Sequence, residues 1–188
     1  MSAITLTDMS GESVPVTGAF PMLYNASGTM DLEASEAWVS AHAEAVQSTL
    51  AQCGALVFRG FGLASDADFD RFIQAFSWPN FTYAESLSNA VRRNRTPRVF
   101  TANEAPPDVQ IYLHHEMAQT PVYPSRLFFF CEQPANGGGA TPICRSDWLL
   151  ERLHKVVPNF VDDCENKGVR YSQTMPAQDD LASGQGRS

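Results

Sequence analysis

The sequence predicts an α+β protein in which helices pack outside an antiparallel sheet, sandwich or barrel. Three observations carry that expectation. Apolar residues recur at helical spacing early in the chain, from Ser35 to Cys53 and again from Ser65. A run of short strand-like segments follows between Val99 and Arg145, so strands and helices do not alternate as they do in a parallel α/β sheet. At 188 residues, with 44% hydrophobic and 18% charged residues, the chain has the size and composition of one globular domain with a real core.

Residues 1–33 are rich in Gly, Pro, Ser and Thr, and read as an irregular lead-in with room for one short strand. Residues 34–98 hold the helices and the first strand. "SEAWVSAHAEAVQSTLAQC" (Ser35 to Cys53) places Ala, Trp, Val and Leu on one helical face, and Gly54 follows as a C-cap. "ALVFRGF" (Ala55 to Phe61) is the compact apolar kind of strand that sits inside a sheet. "SDADFDRFIQAFSW" begins with Ser65 or Asp66 as N-cap and carries Phe69, Phe72, Ile73 and Phe76 on one face, a second amphipathic helix. Residues 79–98 are polar and irregular. Residues 99–188 open with strands expected at Val99–Ala102, Ile111–Met117, Arg126–Glu132 and Ala140–Arg145. "EQPANGGG" is the turn before the last of these. Trp148–Lys155 and Pro158–Lys167 read as short helices and "GVRYSQ" as a strand. The aromatic run Phe128–Phe130 is expected in the core.

A net charge of -8 argues against nucleic acid or an anionic membrane surface as partner. The opening "MSAITLTDMSGESVPVTG" has neither the basic nor the apolar region of a signal peptide, and no apolar run approaches bilayer length. Cys53, Cys131, Cys144 and Cys164 show no C-x-x-C spacing, so free thiols in a reducing cytoplasm are expected.

One stretch stands out chemically. "IYLHHEMAQTPVYPSRLFFF" (Ile111 to Phe130) otherwise reads as buried strand, yet it carries two histidines and a glutamate. Buried groups of that kind are costly unless paired or bound to a metal. On a strand, His114 and Glu116 share one face while Leu113, His115 and Met117 take the other. An imidazole and a carboxylate so placed begin a facial metal site of the type that suits non-haem Fe(II), although an isolated H-x-E is weak evidence and is more often a hydrogen-bonded polar pair. His115, facing away, is expected to be structural. Gln110 and Asn103 are candidates to face the same pocket, or to be merely solvated.

The surroundings sharpen this. "TPVYPSRLFFFC" and "GGGATPICRS" follow the H-x-E step, and "VFTANEAPPD" precedes it. Together they resemble the taurine-dioxygenase-like, clavaminate-synthase-like family of Fe(II)/2-oxoglutarate-dependent oxygenases, with the resemblance covering about residues 54–188. It implies a double-stranded β-helix (jelly-roll, cupin-like) core with flanking N-terminal helices, residues 99–188 forming its metal-site half. His114 and Glu116 match the first two metal ligands, and Thr141 matches the threonine that helps bind 2-oxoglutarate. No catalytic residue is implied beyond the metal ligands. The implied activity is oxidation, by hydroxylation or desaturation, of a small polar substrate such as an amino acid derivative, with decarboxylation of 2-oxoglutarate to succinate.

The family's second histidine and its carboxylate-binding arginine are not matched. His42 and His154 are the remaining histidines, and both read as ordinary helix residues. Arg92, Arg93, Arg95 and Arg98 read as a solvated loop or as a clamp for a carboxylate-bearing substrate. The expectation is a C-terminally truncated, incomplete jelly roll, whose partner is a second copy or a complementing C-terminal half. A catalytically inactive jelly-roll binding module is the competing reading, and a cupin-like protein binding another divalent ion is a third.

Overall fold

Residues 4–7, near the start of the irregular lead-in, form a paired strand. The structure, a computed structural model, describes residues 3–81, 92–102, 110–118 and 121–172. Strand β1 (Ile4–Thr7) pairs antiparallel with β2 (Met22–Ala26), which pairs in parallel with β3 (Leu56–Arg59). The sheet order is β1-β2-β3 and the sheet is mixed, not the purely antiparallel arrangement expected. The reason lies in helix α1 (Leu32–Cys53), which spans the connection between β2 and β3 and returns the chain in the same direction, as a parallel pair requires. Four of the five residues of β2 are buried, the pattern of a strand covered on both faces.

Local sequence explains the helices. Asp31 caps α1 by accepting from the Ala34 N–H at 2.7 Å, so the helix starts a few residues before Ser35. It ends where Gly54 turns left-handed at φ 82° and donates to Leu50 O. Helix α2 (Asp66–Gln74) opens with a capping box between Ser65 and Asp68. It stops short of the expected Trp78, because a turn over residues 75–77 leaves Ser77 at φ 56°. Helices α3 (Ser146–Val156) and α4 (Pro158–Lys167) lie where the sequence places them, with Pro158 at the first turn of α4.

The described residues form two compact units. The first comprises 3–81, 92–102 and 126–141, and the second 110–118, 121–125 and 142–172. The first holds an aromatic core. Tyr24 meets Trp38 edge-on and stacks on Phe58, which in turn meets Phe61, Phe72 and Phe76 edge-to-face. Ser35, fully buried, is satisfied by donating to Phe61 O at 2.7 Å. In the second unit, only Met117 and Val161 among the described hydrophobic residues are buried.

The strands expected at Val99–Ala102, Ile111–Met117, Arg126–Glu132 and Ala140–Arg145 are corrected. Among the described residues these segments carry no ladder beyond one isolated bridge, Asn94 to Phe100, and the same holds for 168–172. Apolar and β-branched residues favour extended backbone, but a strand also needs a partner, and here that partner is not formed. Side-chain alternation does persist in 128–130. Phe128 packs on Phe76 and Phe130 stacks on Phe69, whereas Phe129 is 74% exposed, which corrects its placement in the core. All four cysteines are free thiols, and Cys53 is buried. No helix of the described residues is long and apolar enough to cross a membrane.

Candidate functional site

Residues 110–115 run without regular pairing and 116–118 form a turn. The Ala118 N–H donates to His115 O at 3.3 Å, and Met117 adopts φ 58° with its side chain buried. A bulky residue with positive φ is strained, and it persists where its surroundings fix it. The two-residue alternation that would put His114 and Glu116 on one strand face therefore stops at His115. Glu116 belongs to the turn.

His114 is exposed, and its Nδ1 lies 2.6 Å from Tyr112 O. A carbonyl only accepts, so Nδ1 carries the proton and donates. In the neutral ring Nε2 then keeps its lone pair. A metal-binding histidine is prepared in this way, with one ring nitrogen fixed by a backbone carbonyl and the other left to coordinate. Glu116 is half-buried. Imidazole nitrogen and carboxylate oxygen are both donor types that Fe(II) accepts, so the chemistry of the donor set, though not a shared strand face, fits such an ion. Among the described residues, no group of three His, Cys, Asp or Glu side chains is arranged to hold a metal.

His115 is directed elsewhere: its Nε2 lies 2.7 Å from Ser146 Oγ, at the start of α3. That helix start is itself braced. Arg145 donates through Nε to both carboxylate oxygens of Asp147, at 2.9 and 3.1 Å, and its guanidinium lies 4.8 Å over the Trp148 ring. The Arg145 hydrogen bonds hold the Asp147 carboxyl below the usual carboxylate range. Sequence reasoning missed Ser146, although the Ser-Asp step before an apolar helix was a visible start signal.

Gln110 is exposed and accepts through Oε1 from the Tyr112 hydroxyl at 2.9 Å. Thr141 is exposed and follows a bend at residues 136–137 and two left-handed glycines, Gly138 and Gly139, at φ 68° and 69°. Asn103 lies outside the described residues. His42 stacks on Trp38 with ring centroids 4.6 Å apart, and its Nδ1–H donates to Trp38 O at 2.7 Å. His154 lies 3.7 Å from Glu165 of α4. Both are the helix residues expected.

Two of the four arginines keep part of their side chains in solvent while pairing with carboxylates of α2. Arg95 donates to Asp66 at 2.6 Å, and Arg98 reaches the buried carboxylate of Asp70 at 3.5 Å. They fasten residues 94–100 to α2. The Arg95 hydrogen bond is the main reason the Asp66 carboxyl sits below its ordinary range.

Comparison with known proteins places this chain in a lineage. The chain is 42% identical over 142 residues to a clavaminate synthase-like protein of Arabidopsis thaliana, an alignment covering 76% of this chain and 42% of that protein. It is 29% identical over 137 residues to the dapdiamide synthesis protein DdaC of Enterobacter agglomerans, covering 73% of this chain and 40% of that protein. The chain thus spans about two fifths of the length of the curated relatives it matches. Residues 12–182, which contain the whole H-x-E segment, match the model of one family. The chain belongs to the taurine catabolism dioxygenase TauD, TfdA family.

Proposed function

We propose that this chain is part of an Fe(II)/2-oxoglutarate-dependent dioxygenase and that it supplies two of the iron ligands, His114 and Glu116. The observation that carries this reading is the state of His114. Within the segment matched by the family, its Nδ1–H is committed to Tyr112 O, and Nε2 is the nitrogen left to bind a metal. Bound Fe(II) would supply the oxidative chemistry, with 2-oxoglutarate decarboxylated to succinate as the substrate is hydroxylated or desaturated. The chain's own residues bind and orient. Thr141, Gln110 and Asn103 are the proposed 2-oxoglutarate contacts, the hydroxyl of Thr141 donating to a carboxylate from a Gly-rich turn. The substrate is proposed to be a small polar molecule such as an amino acid derivative, by analogy with the synthesis function in the name of the Enterobacter relative.

The family fold is proposed to be a double-stranded β-helix, of which this chain carries one part. The third ligand and a carboxylate-binding arginine would come from a complementing C-terminal half, acting in the cytoplasm. Exposed apolar residues support that arrangement: Leu127, Phe129 and Ile143 are each about half exposed or more, on segments with strand-forming sequence.

The test measures Fe(II) affinity by competition with a chromophoric chelator under anaerobic conditions. His114→Ala and Glu116→Ala are each expected to weaken binding at least tenfold, and His42→Ala to leave it unchanged. Equal affinity in wild type and both ligand variants would overturn the reading and leave the inactive binding module in its place.

A further inference from the structure

We propose that Ser146 is a positioning residue for the metal-binding pair: its hydroxyl holds His115, the residue between the two ligands, against the first turn of α3. The inference rests on the proposed metal site and deepens it.

His115 is exposed, and an exposed imidazole ordinarily keeps its rotamer freedom in water. Here it is tied at 2.7 Å to a hydroxyl 31 residues away. The bond does not depend on the ring's protonation. With Nε2 bare the serine hydroxyl donates, and with Nε2 protonated it accepts. The backbone of His115 is held as well, because its carbonyl accepts from the Ala118 N–H, while the next residue but one, Met117, is buried. His115 is thus fixed at both side chain and main chain, between two residues that are proposed to bind one ion.

The other end of the bond is anchored equally well. Ser146 is the first residue of α3, next to Arg145, whose guanidinium is locked onto Asp147 and over Trp148. A ligand pair must be held to within about half an ångström to bind one ion well. Neither His114 nor Glu116 lies in a paired strand, so regular structure does not supply that precision. The bond from Ser146 to His115 supplies it from outside the segment.

The experiment measures the affinity of the chain for Fe(II), and for Co(II) as a spectroscopic probe, in Ser146→Ala, Ser146→Thr, His115→Phe and the double variant Ser146→Ala/His115→Phe. His114→Ala is the control. Ser146→Ala and His115→Phe are each expected to weaken binding about tenfold and to change the Co(II) ligand-field spectrum. Ser146→Thr, which keeps the hydroxyl, should stay near wild type. The double variant should be no worse than either single, because both remove one bond. Wild-type affinity and spectrum in Ser146→Ala, with binding lost in His114→Ala, would overturn this inference alone. Additive losses in the double variant would overturn it too. Unchanged binding in His114→Ala would overturn the metal site and this inference together. Should Ser146→Ala fail to fold, His115→Phe against Ser146→Thr decides the matter by the same criteria.

Discussion

Phe130 stacks on Phe69 of α2 with ring centroids 5.3 Å apart, while Phe129 beside it is 74% exposed. The segment therefore reads as a ribbon with a bound side and a bare side. Phe130→Ala should cost about 2–4 kcal/mol, toward the lower part of the range for a truncated aromatic because Phe130 is only partly buried. Phe129→Ser should change stability by less than about 0.5 kcal/mol. Urea unfolding of the two variants separates these outcomes. Similar losses in both would mean that the alternation is wrong.

Association is a second expectation. Every exposed large hydrophobic residue among those described, except Met9, lies between Ile111 and Tyr171. Surfaces of that kind drive self-association. Sedimentation velocity should show concentration-dependent oligomers, and polar replacement of Phe129, Trp148 and Phe160 together should reduce them. A monomer at all concentrations would refute this.

Acid sensitivity follows from α2. Asp66 is held below the usual carboxylate range chiefly by the Arg95 hydrogen bond, and Asp68 chiefly by the Ala64 N–H. A carboxylate with a depressed folded pKa contributes stability that is fully present above its unfolded value, about 3.9. That stability is lost as pH falls through the lower folded value. Unfolding midpoints recorded from pH 6 downward should therefore drop below about pH 4. Asp66→Asn and Asp68→Asn should each flatten the drop, and a profile as steep as wild type would remove these two groups from the cause.

Gly62 makes a sharper prediction. Its φ is 66°, and a Cβ there would overlap the Met30 carbonyl oxygen. Gly62→Ala should cost at least about 2 kcal/mol, from left-handed strain plus the displaced backbone. Thermal unfolding tests it directly, and a neutral result would mean the Met30 segment yields freely.

At the proposed cosubstrate site, Thr141→Val removes one hydrogen bond to a charged carboxylate, worth roughly 1.5–3 kcal/mol. The 2-oxoglutarate affinity of the Fe(II)-loaded protein should fall about tenfold or more, as read by calorimetry. Unchanged affinity in a folded variant would take Thr141 out of the site.

Legibility in the sequence followed the range of the forces involved. Helices α1 to α4 were readable because their periodicity and caps lie within a few residues: Gly54 closes α1, and Ser65 with Asp68 opens α2. The lead-in was read with room for one short strand; that it holds two, β1 and β2, paired with each other, was not legible, because such short segments become strands only through a neighbour some twenty residues away. The same logic inverted the error farther along. Ile111–Met117 and Arg126–Glu132 have strand-forming composition, but composition does not provide a partner. At the site, His114 and Glu116 were visible as donor types. Tyr112 O and Ser146, which fix the ring orientations, were not, since a backbone carbonyl has no sequence signature and Ser146 arrives from a separate helix.

The mixed sheet has a consequence for synthesis. β1, β2, α1, β3 and α2 all lie within residues 4–74, and the pairings among the three strands close inside that span. On the ribosome, where chains grow from the N-terminus and early segments can fold as units, this layer has its partners before His114 is translated. The phenylalanines at 128 and 130 then meet a platform that already exists, so the order of manufacture favours docking onto α2 over collapse among the later apolar segments.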